Sequence, residues 1–300
     1  MRPTTRIVLA AKAVTPAPVW AVLKRLRGRE ESPPPPGPEP QLPEWEYVPE
    51  GWAREAGGWD VAAVAAAYRA KWPEFVAATE GPGPLGVDHE VPAGTPVRRD
   101  DLGMQAAVLA FGYALALAEG GRGRVSILDW GGGPGHYAVL ARALLPGVEV
   151  EYHSRDLPVL TALGRELQPG DAFHDDDACL DRTYDLVLSS SSLQYAPDWR
   201  AALTRLAGAT GRYALVTRLP VARTAPSFVV LQRAHAYGYD TEYLGWAINV
   251  EELLETARAA GLELVRELLV PAWLTAEGAP ETPTGHAGFL FSRAAPRSSA

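Results

Sequence analysis

The sequence predicts an α/β fold in which a mostly parallel sheet with crossover helices follows an N-terminal helical region. From residue 123 onward, short apolar runs of strand length alternate with helical patterns, as in strand–helix–strand units. Residues 51–120 instead carry helix formers and apolar residues at helical spacing. The chain has 300 residues, of which 47% are hydrophobic, so it can bury a sizeable core.

The chain begins with a basic amphipathic arm over residues 1–29, which holds seven Lys or Arg residues, no acid and several apolar residues including Trp20. Such an arm can lie peripherally on an anionic membrane surface. The alternatives are a terminus that is poorly ordered or packed on itself and an organellar transit peptide. Residues 30–50 are a Pro-rich linker, because the run from Pro33 to Pro36 favours extended polyproline structure.

Residues 51–122 are predicted to form a helical cap, and residues 123–297 the sheet domain. Helices are expected in the cap over Val61–Trp72 and Leu102–Glu119. The stretch 271–285 contains Pro and Gly and joins the last two strands without a helix, which favours an antiparallel pair. Seven strands are predicted: Val125–Asp129, Val148–Tyr152, a short strand ending near Phe173, Tyr184–Ser189, Tyr213–Thr217, Leu262–Val270 and Gly288–Ser292.

The charge and the cysteine content narrow the class of protein. The net charge is −8, and the basic arm leaves −15 on the rest of the chain. A body this acidic does not fit a nucleic-acid binder, so a small or carrier-linked substrate is expected. The single cysteine, Cys179, excludes an internal disulfide and indicates a reducing compartment. We expect a cytoplasmic protein without a metal site, placed at the inner face of the membrane if the arm binds lipid.

A glycine-rich turn with an acid before it follows the first predicted strand of the sheet. Gly131, Gly133 and Gly135 allow the backbone to bend tightly and approach a ligand, and the helix that follows offers free N–H groups. The Asp129 carboxylate would repel a pyrophosphate but suits an ammonium and a sulfonium, which predicts S-adenosylmethionine (SAM). The same glycines with Ala138 also fit the dinucleotide fingerprint, so NAD(P) is the alternative.

Residues at the ends of the next strands are candidates for the same ligand, because ligands lie beyond the carboxyl ends of parallel strands. Asp156 lies about 20 residues beyond the turn and is placed to bind both ribose hydroxyls. Asp175 or Asp176 is a candidate for the adenine amino group; a solvated acidic loop is the alternative, and a metal site is less favoured because consecutive acids point in different directions. Ser189 is small enough to allow close approach of the methionine portion.

Three residues are candidates for catalysis. Tyr195 would place an aromatic ring near the sulfonium, where cation–π attraction is favourable, or it is an ordinary half-buried aromatic. Arg218 ends another strand and can pair with a substrate carboxylate or phosphate, or with the acids nearby. His235 is the candidate general base for a substrate hydroxyl, although a lone histidine is more often structural.

The chain resembles a class I SAM-dependent methyltransferase, and more narrowly the methyltransferases encoded among bacterial polysaccharide and O-antigen biosynthesis genes. This resemblance covers about residues 45–293 and implies a Rossmann-like seven-stranded sheet with SAM as methyl donor. The sequence has no motif that matches the catalytic base of small-molecule O-methyltransferases, so the resemblance does not identify a general base. The residues that carry it are Ile127–Tyr137, Tyr184–Tyr195, Thr217–Pro220 and Gln232.

The function expected from this resemblance is O-methylation of a sugar or of a glycan-biosynthesis intermediate, with a small-molecule or glycan acceptor. The helical cap would then shape the acceptor pocket. Two alternatives come from other classes: an NAD(P)-dependent oxidoreductase, and a catalytically inactive SAM-binding accessory protein.

Overall fold

The computed structural model of the protein describes residues 42–59, 62–86, 101–233 and 241–294. Six α-helices lie in these ranges: α1 (Ala62–Thr79), α2 (Leu102–Glu119), α3 (His136–Leu144), α4 (Pro158–Leu167), α5 (Trp199–Ala209) and α6 (Val250–Ala259). The strands of the same ranges are β1 (Trp45–Tyr47), β2 (Arg124–Trp130), β3 (Glu149–Arg155), β4 (Ala172–His174), β5 (Tyr184–Ser190), β6 (Thr210–Ala222), β7 (Phe228–Arg233), β8 (Glu242–Asn249), β9 (Leu262–Leu274) and β10 (Thr284–Arg293).

Seven strands form the main sheet in the order β4-β3-β2-β5-β6-β10-β9. The first five are parallel, whereas β10 is antiparallel to both β6 and β9. Each of the seven predicted strands corresponds to one of these, and the antiparallel ending is also present. The predicted fold class, an α/β Rossmann-like sheet, is therefore confirmed.

Three further strands, which the sequence pattern does not predict, extend the sheet. β7 pairs antiparallel with β1 and with β8. β8 joins the end of β6 through two residue pairs, Val221 with Ile248 and Ala222 with Asn249. All six residues of β7 are buried. Because both faces are covered, the strand lacks the alternation of apolar and polar residues by which an exposed strand is predicted.

The two N-terminal helices have different surroundings. α2 has the bounds that the sequence predicts: the Asp101 side chain accepts a hydrogen bond from the Met104 N–H, and Gly120 ends the helix in the left-handed conformation at φ 58°. By length and composition it is the helix in the described ranges that is apolar enough to cross a membrane. In this structure, however, the α2 residues Phe111 and Leu115 are fully buried in the core that contains apolar residues of β2.

α1 lies against α3 and α4, at the end of the sheet where the glycine-rich turn is found. It continues beyond the predicted end at Trp72, through Pro73, to Thr79. Its buried Tyr68 reaches the cavity described below. Of the predicted cap, residues 51–122, the α1 segment thus contributes to the site, whereas α2 packs on the face of the sheet.

Candidate active site

The glycine-rich turn between β2 and α3 borders a cavity of about 1440 Å³. Gly131 and Gly133 have φ values of 79° and 56°, which other residues rarely adopt. A Cβ atom on Gly131 would lie 2.3 Å from the Cβ of Ser192, and one on Gly132 would lie 2.6 Å from the Cγ of Asp129. Gly135 is the N-cap of α3 and lies off the cavity wall. The turn therefore packs so closely on Ser192 and Asp129 that it has no room for side chains at Gly131 and Gly132.

Asp129 lies beneath this turn, 1% exposed, and does not itself line the cavity. Its Oδ2 accepts a hydrogen bond of 2.5 Å from the Tyr152 hydroxyl. Its buried Oδ1 has no hydrogen-bond partner among the described residues. Burial, reinforced by the nearby Asp156 charge, raises the pKa of Asp129 to about 7. A cationic ligand above the turn would stabilise this buried carboxylate.

Asp156 follows β3 and lines the cavity, as the sequence predicts for a ribose-binding residue. Its two carboxylate oxygens accept backbone hydrogen bonds of 2.7 Å each, from the N–H groups of Gly133 and Leu157. Burial raises the pKa of Asp156, and these hydrogen bonds oppose the rise. The carboxylate thus ties the end of β3 to the glycine turn, and each oxygen retains a lone pair with which it can accept a further hydrogen bond.

Besides Asp129 and Gly135, three further predicted cofactor residues do not line the cavity. Asp175 instead accepts a hydrogen bond from Thr161 and pairs with Arg165 at 2.8 Å, and both contacts lower its pKa. Asp176 caps a short helical turn by accepting from the Ala178 N–H at 3.0 Å. Ser189 is buried, and its hydroxyl lies 2.7 Å from that of Ser192, below the cavity wall. The adenine contact predicted for the two acids is therefore not supplied by this arrangement.

The end of β5 and the segment after it line the cavity through Ser190, Ser191, Ser192, Gln194 and Tyr195. Gln194 is 3% exposed, its amide nitrogen donates to the Ser191 hydroxyl at 3.1 Å, and its Oε1 has no partner among the described residues. The Tyr195 hydroxyl donates to Gln232 Oε1 at 2.9 Å. Two separate stretches of the resemblance, Tyr184–Tyr195 and Gln232, therefore meet in space.

Arg218 lines the cavity from a bulge in β6. Two β6 residues, Thr217 and Arg218, stand opposite the single residue Gly288 of β10. Arg218 adopts φ 55° there, and Ser191, on the neighbouring cavity wall, has the same φ value. Non-glycine residues in this conformation store backbone strain, which is typical of functional sites.

His286, on β10, is a cavity residue that the sequence pattern does not single out. Its Nδ1 lies 3.1 Å from the carbonyl oxygen of Ala272. Burial and the neighbouring Arg218 charge lower the pKa of His286 to about 4, so the ring is neutral at pH 7. The predicted base, His235, lies outside the described residues, as does the basic arm.

An aromatic cluster, formed by Trp59, Tyr195 and Tyr243, lines the cavity and packs beside Tyr68 and Leu160. The rings of Trp59 and Tyr243 stack with centroids 4.0 Å apart, and Tyr195 meets each of them edge to face at 5.3 Å. Trp52 lies farther along the same cavity, and its buried indole nitrogen has no hydrogen-bond partner among the described residues. No signal in the sequence joins these residues, because they come from separate segments.

A Rossmann-like sheet of this order, with a glycine turn and a buried acid at one end of a large cavity, defines the chain as a SAM-dependent methyltransferase. Residues 99–267, more than half of the chain, match the methyltransferase domain family, and the chain belongs to that family. The NAD(P)-dependent alternative is therefore set aside. The unpartnered Oδ1 of Asp129 fits the SAM ammonium group, and the glycine cradle fits close approach of the cofactor.

Among solved structures, the chain is similar to magnesium protoporphyrin IX methyltransferase from Synechocystis PCC 6803, at 14% identity over 79% of this chain and 99% of that chain, with a TM-score of 0.44. It is also similar to 1,6-didemethyltoxoflavin-N1-methyltransferase from Burkholderia thailandensis, at 17% identity over 83% and 100% of the two chains, with a TM-score of 0.43.

An amino pentose methyltransferase from Micromonospora echinaspora matches at 17% identity over 63% of this chain and 90% of that chain, with a TM-score of 0.40. A search of curated protein sequences finds no match. Similarities at this level say nothing about the acceptor.

Proposed function

We propose that the protein methylates a hydroxyl oxygen of a sugar or of a sugar-containing biosynthetic intermediate. The observation that carries this proposal is the mixed lining of the cavity beyond the glycine turn. A sugar has matching chemistry, because its ring presents apolar C–H faces to aromatic side chains and hydroxyl groups to polar ones. The aromatic residues are Trp45, Trp52, Trp59, Tyr195, Tyr243 and Trp273, and the polar ones include Arg54, Arg218, Gln232 and His286.

When bound, SAM supplies an electrophilic methyl group on a sulfonium sulfur. The chain has to bind the acceptor so that its oxygen is in line with the carbon–sulfur bond, and to exclude water. Tyr195 is suited to this positioning, since its hydroxyl bond to Gln232 and its contact with Trp59 fix the ring. Arg218, whose side chain the β6 bulge directs to the cavity, is suited to an anionic group of the acceptor, such as the phosphate of a carrier-linked sugar.

The test is methyl transfer by the purified full-length protein to a panel of acceptors. The panel contains nucleotide sugars such as UDP-glucose and GDP-mannose, simple methyl glycosides, and catechol as a non-sugar hydroxyl acceptor. S-adenosylhomocysteine (SAH) formation and the gain of one methylene unit by mass spectrometry are measured. The expected result is methylation of at least one sugar, and the Gly131→Ala variant is the matched inactive control.

Methylation of catechol with no transfer to any sugar would overturn the acceptor class. Binding of SAH with no transfer to any acceptor would favour the accessory protein instead. The resemblance to polysaccharide-cluster methyltransferases supports starting with sugars, and the family match alone leaves the acceptor open.

A further inference from the structure

We propose that His286 is the general base that takes the proton of the acceptor hydroxyl, an inference that rests on the proposed function. A carbonyl oxygen can only accept, so the 3.1 Å contact with Ala272 requires a hydrogen on Nδ1 of the ring. In a neutral imidazole the lone pair is then on Nε2. Nε2 has no hydrogen-bond partner among the described residues, and His286 lines the cavity. Nε2 is therefore a hydrogen-bond acceptor at the cavity, and the bond from Nδ1 to the Ala272 carbonyl fixes this tautomer of the ring.

The sheet departs from regular pairing on both sides of this residue. On one side, β6 bulges at Thr217 and Arg218. On the other, the pairing of β9 jumps from Trp273 opposite Gly285 to Val270 opposite His286, so Pro271 and Ala272 are extra residues. The second bulge provides the carbonyl that binds Nδ1, and the first brings Arg218 to the same cavity. Bulges that direct side chains are common beside active sites.

Burial, together with one neighbouring charge, lowers the pKa of His286 and keeps the ring neutral. Arg218 faces it from β6, and its positive charge disfavours an imidazolium. The neighbouring β9 residues at this point, Val270 and Ala272, carry no charge. Burial acts in the same direction as Arg218, and the ring is therefore able to accept a proton at every pH at which the protein would work.

Methyl transfer to the acceptor oxygen needs only this one base. The acceptor oxygen forms a bond to the methyl carbon as the carbon–sulfur bond breaks, and that electron pair remains on sulfur. As the new bond forms, the hydroxyl proton becomes strongly acidic and moves to Nε2 of His286. A ring of low basicity can accept it at that stage, and the imidazolium then releases the proton to water. The positive charge of the sulfonium is lost in the same step in which the imidazolium forms.

Two variants separate chemistry from structure. His286→Asn keeps an amide N–H in the position of Nδ1, and therefore the bond to Ala272, but removes Nε2. His286→Gln keeps a polar atom near Nε2 that is not basic. Both are expected to bind SAH within about threefold of the wild type and to lose on the order of 100-fold in kcat, with a smaller change in acceptor KM. Their residual rate should rise with pH between 6 and 8, whereas the wild-type rate should stay flat.

The competing base is His235, so His235→Asn is measured in parallel. His153→Asn is the matched control, because His153 lies on β3, far from β10 in the strand order, and does not line the cavity. Loss of kcat in His235→Asn, with His286→Asn active, would overturn the proposal. Equal losses of SAH affinity and of Tm in both His286 variants would also overturn it, because they indicate a structural role. Failure of the acceptor class differs from either result, since no sugar would then be methylated even by the wild type.

Nitrogen NMR provides a readout that needs no acceptor. In SAH-bound protein, long-range proton–nitrogen spectra should show His286 with hydrogen on Nδ1 and a bare Nε2 at pH 7; the His286→Asn spectrum assigns the signal. A ring with hydrogen on Nε2, or a charged ring at pH 7, would overturn the proposal.

Discussion

The two halves of the cavity are built in different ways. The cofactor half is formed by consecutive strand ends of the parallel sheet, with a glycine turn that a single Cβ atom would obstruct. The other half, which we propose binds the acceptor and call the acceptor half, is lined from β1, the segment after it, the β7–β8 extension and bulges in β6 and β9. The amino-acid sequence of the cofactor half can change little, because the backbone conformation and close packing of the turn require glycine. The second half can change its side chains without altering the sheet, so we expect specificity to reside there.

Buried polar atoms without partners occur in both halves. In the cofactor half they are Asp129 Oδ1 and Gln194 Oε1, and in the acceptor half Trp52 Nε1. Each costs free energy in the protein without ligands unless water reaches it. Their removal should therefore weaken binding and stabilise the unliganded protein at the same time.

Gly131→Ala should abolish cofactor binding. The new Cβ would lie 2.3 Å from the Cβ of Ser192, and the backbone φ of 79° is unfavourable for alanine. We expect at least about a 100-fold loss of SAH affinity by calorimetry, together with a lower Tm. Gly208→Ala, in the exposed part of α5 where a Cβ meets nothing within 4 Å, is the control and should leave SAH affinity unchanged. An affinity of Gly131→Ala within tenfold of the wild type would contradict a rigid cofactor half.

Asp129→Asn should weaken SAH binding by roughly 10- to 100-fold, because the variant removes the buried carboxylate charge beneath the turn, which a bound ammonium group would stabilise, but keeps the shape. Tyr152→Phe removes only the hydrogen bond to Asp129 Oδ2 and should have a smaller effect. The measurement is calorimetric titration with SAH, with NADH titrated alongside. If NADH binds and Asp129→Asn leaves that binding intact, the SAM assignment of the turn fails.

Asp129→Asn should also change how stability depends on pH. Burial raises the pKa of Asp129 to about 7 in the folded protein, from an ordinary value of 3.8. Between these values the folded state keeps a proton that the unfolded state releases, so the free energy of unfolding falls as the pH rises. The variant lacks this contribution. Without ligand, its Tm should exceed that of the wild type by a few degrees at pH 8 and approach it near pH 4.

Equal slopes of Tm against pH in the two proteins would show that Asp129 is not held in a neutral form by burial. Asp156 is present in both proteins, and its raised pKa contributes a common slope that cancels in the comparison.

The cofactor half of the cavity is more predictable from the sequence than the acceptor half. The predicted residues Asp129, Asp156, Ser189, Tyr195 and Arg218 and the glycine motif lie near the ends of strands with clear patterns. The structure brings Gly131, Gly133, Asp156, Tyr195 and Arg218 to the cavity, whereas Asp129, Gly135 and Ser189 lie off its wall. The seven strands and α2 are predictable for the same reason. Asp175 and Asp176 follow the short β4 strand too, but nearby donors engage their carboxylates.

The acceptor half is much less predictable. β1 has three residues, and β7 is buried on both faces, so neither has a recognisable period. His286 is a candidate base because a bulge in β9 brings the Ala272 carbonyl oxygen beside its ring. Local pattern carries no information about such a contact, because it depends on the register of two strands. The sequence pattern points to His235, which lies outside the described residues and stays a prediction.

Trp52→Phe should produce the smallest change, and one of opposite sign in the two states. It removes an indole N–H that is buried without a partner in the described part of the chain, while retaining an aromatic ring against Trp246. The unliganded protein should therefore be as stable as the wild type or slightly more stable. If the N–H donates to a bound acceptor, acceptor KM should rise about fivefold, corresponding to about 1 kcal/mol, with SAH affinity unchanged. A change in SAH affinity with no change in acceptor KM would mean that Trp52 belongs to the cofactor half. The division of the cavity into a cofactor half and an acceptor half would then be wrong at this residue.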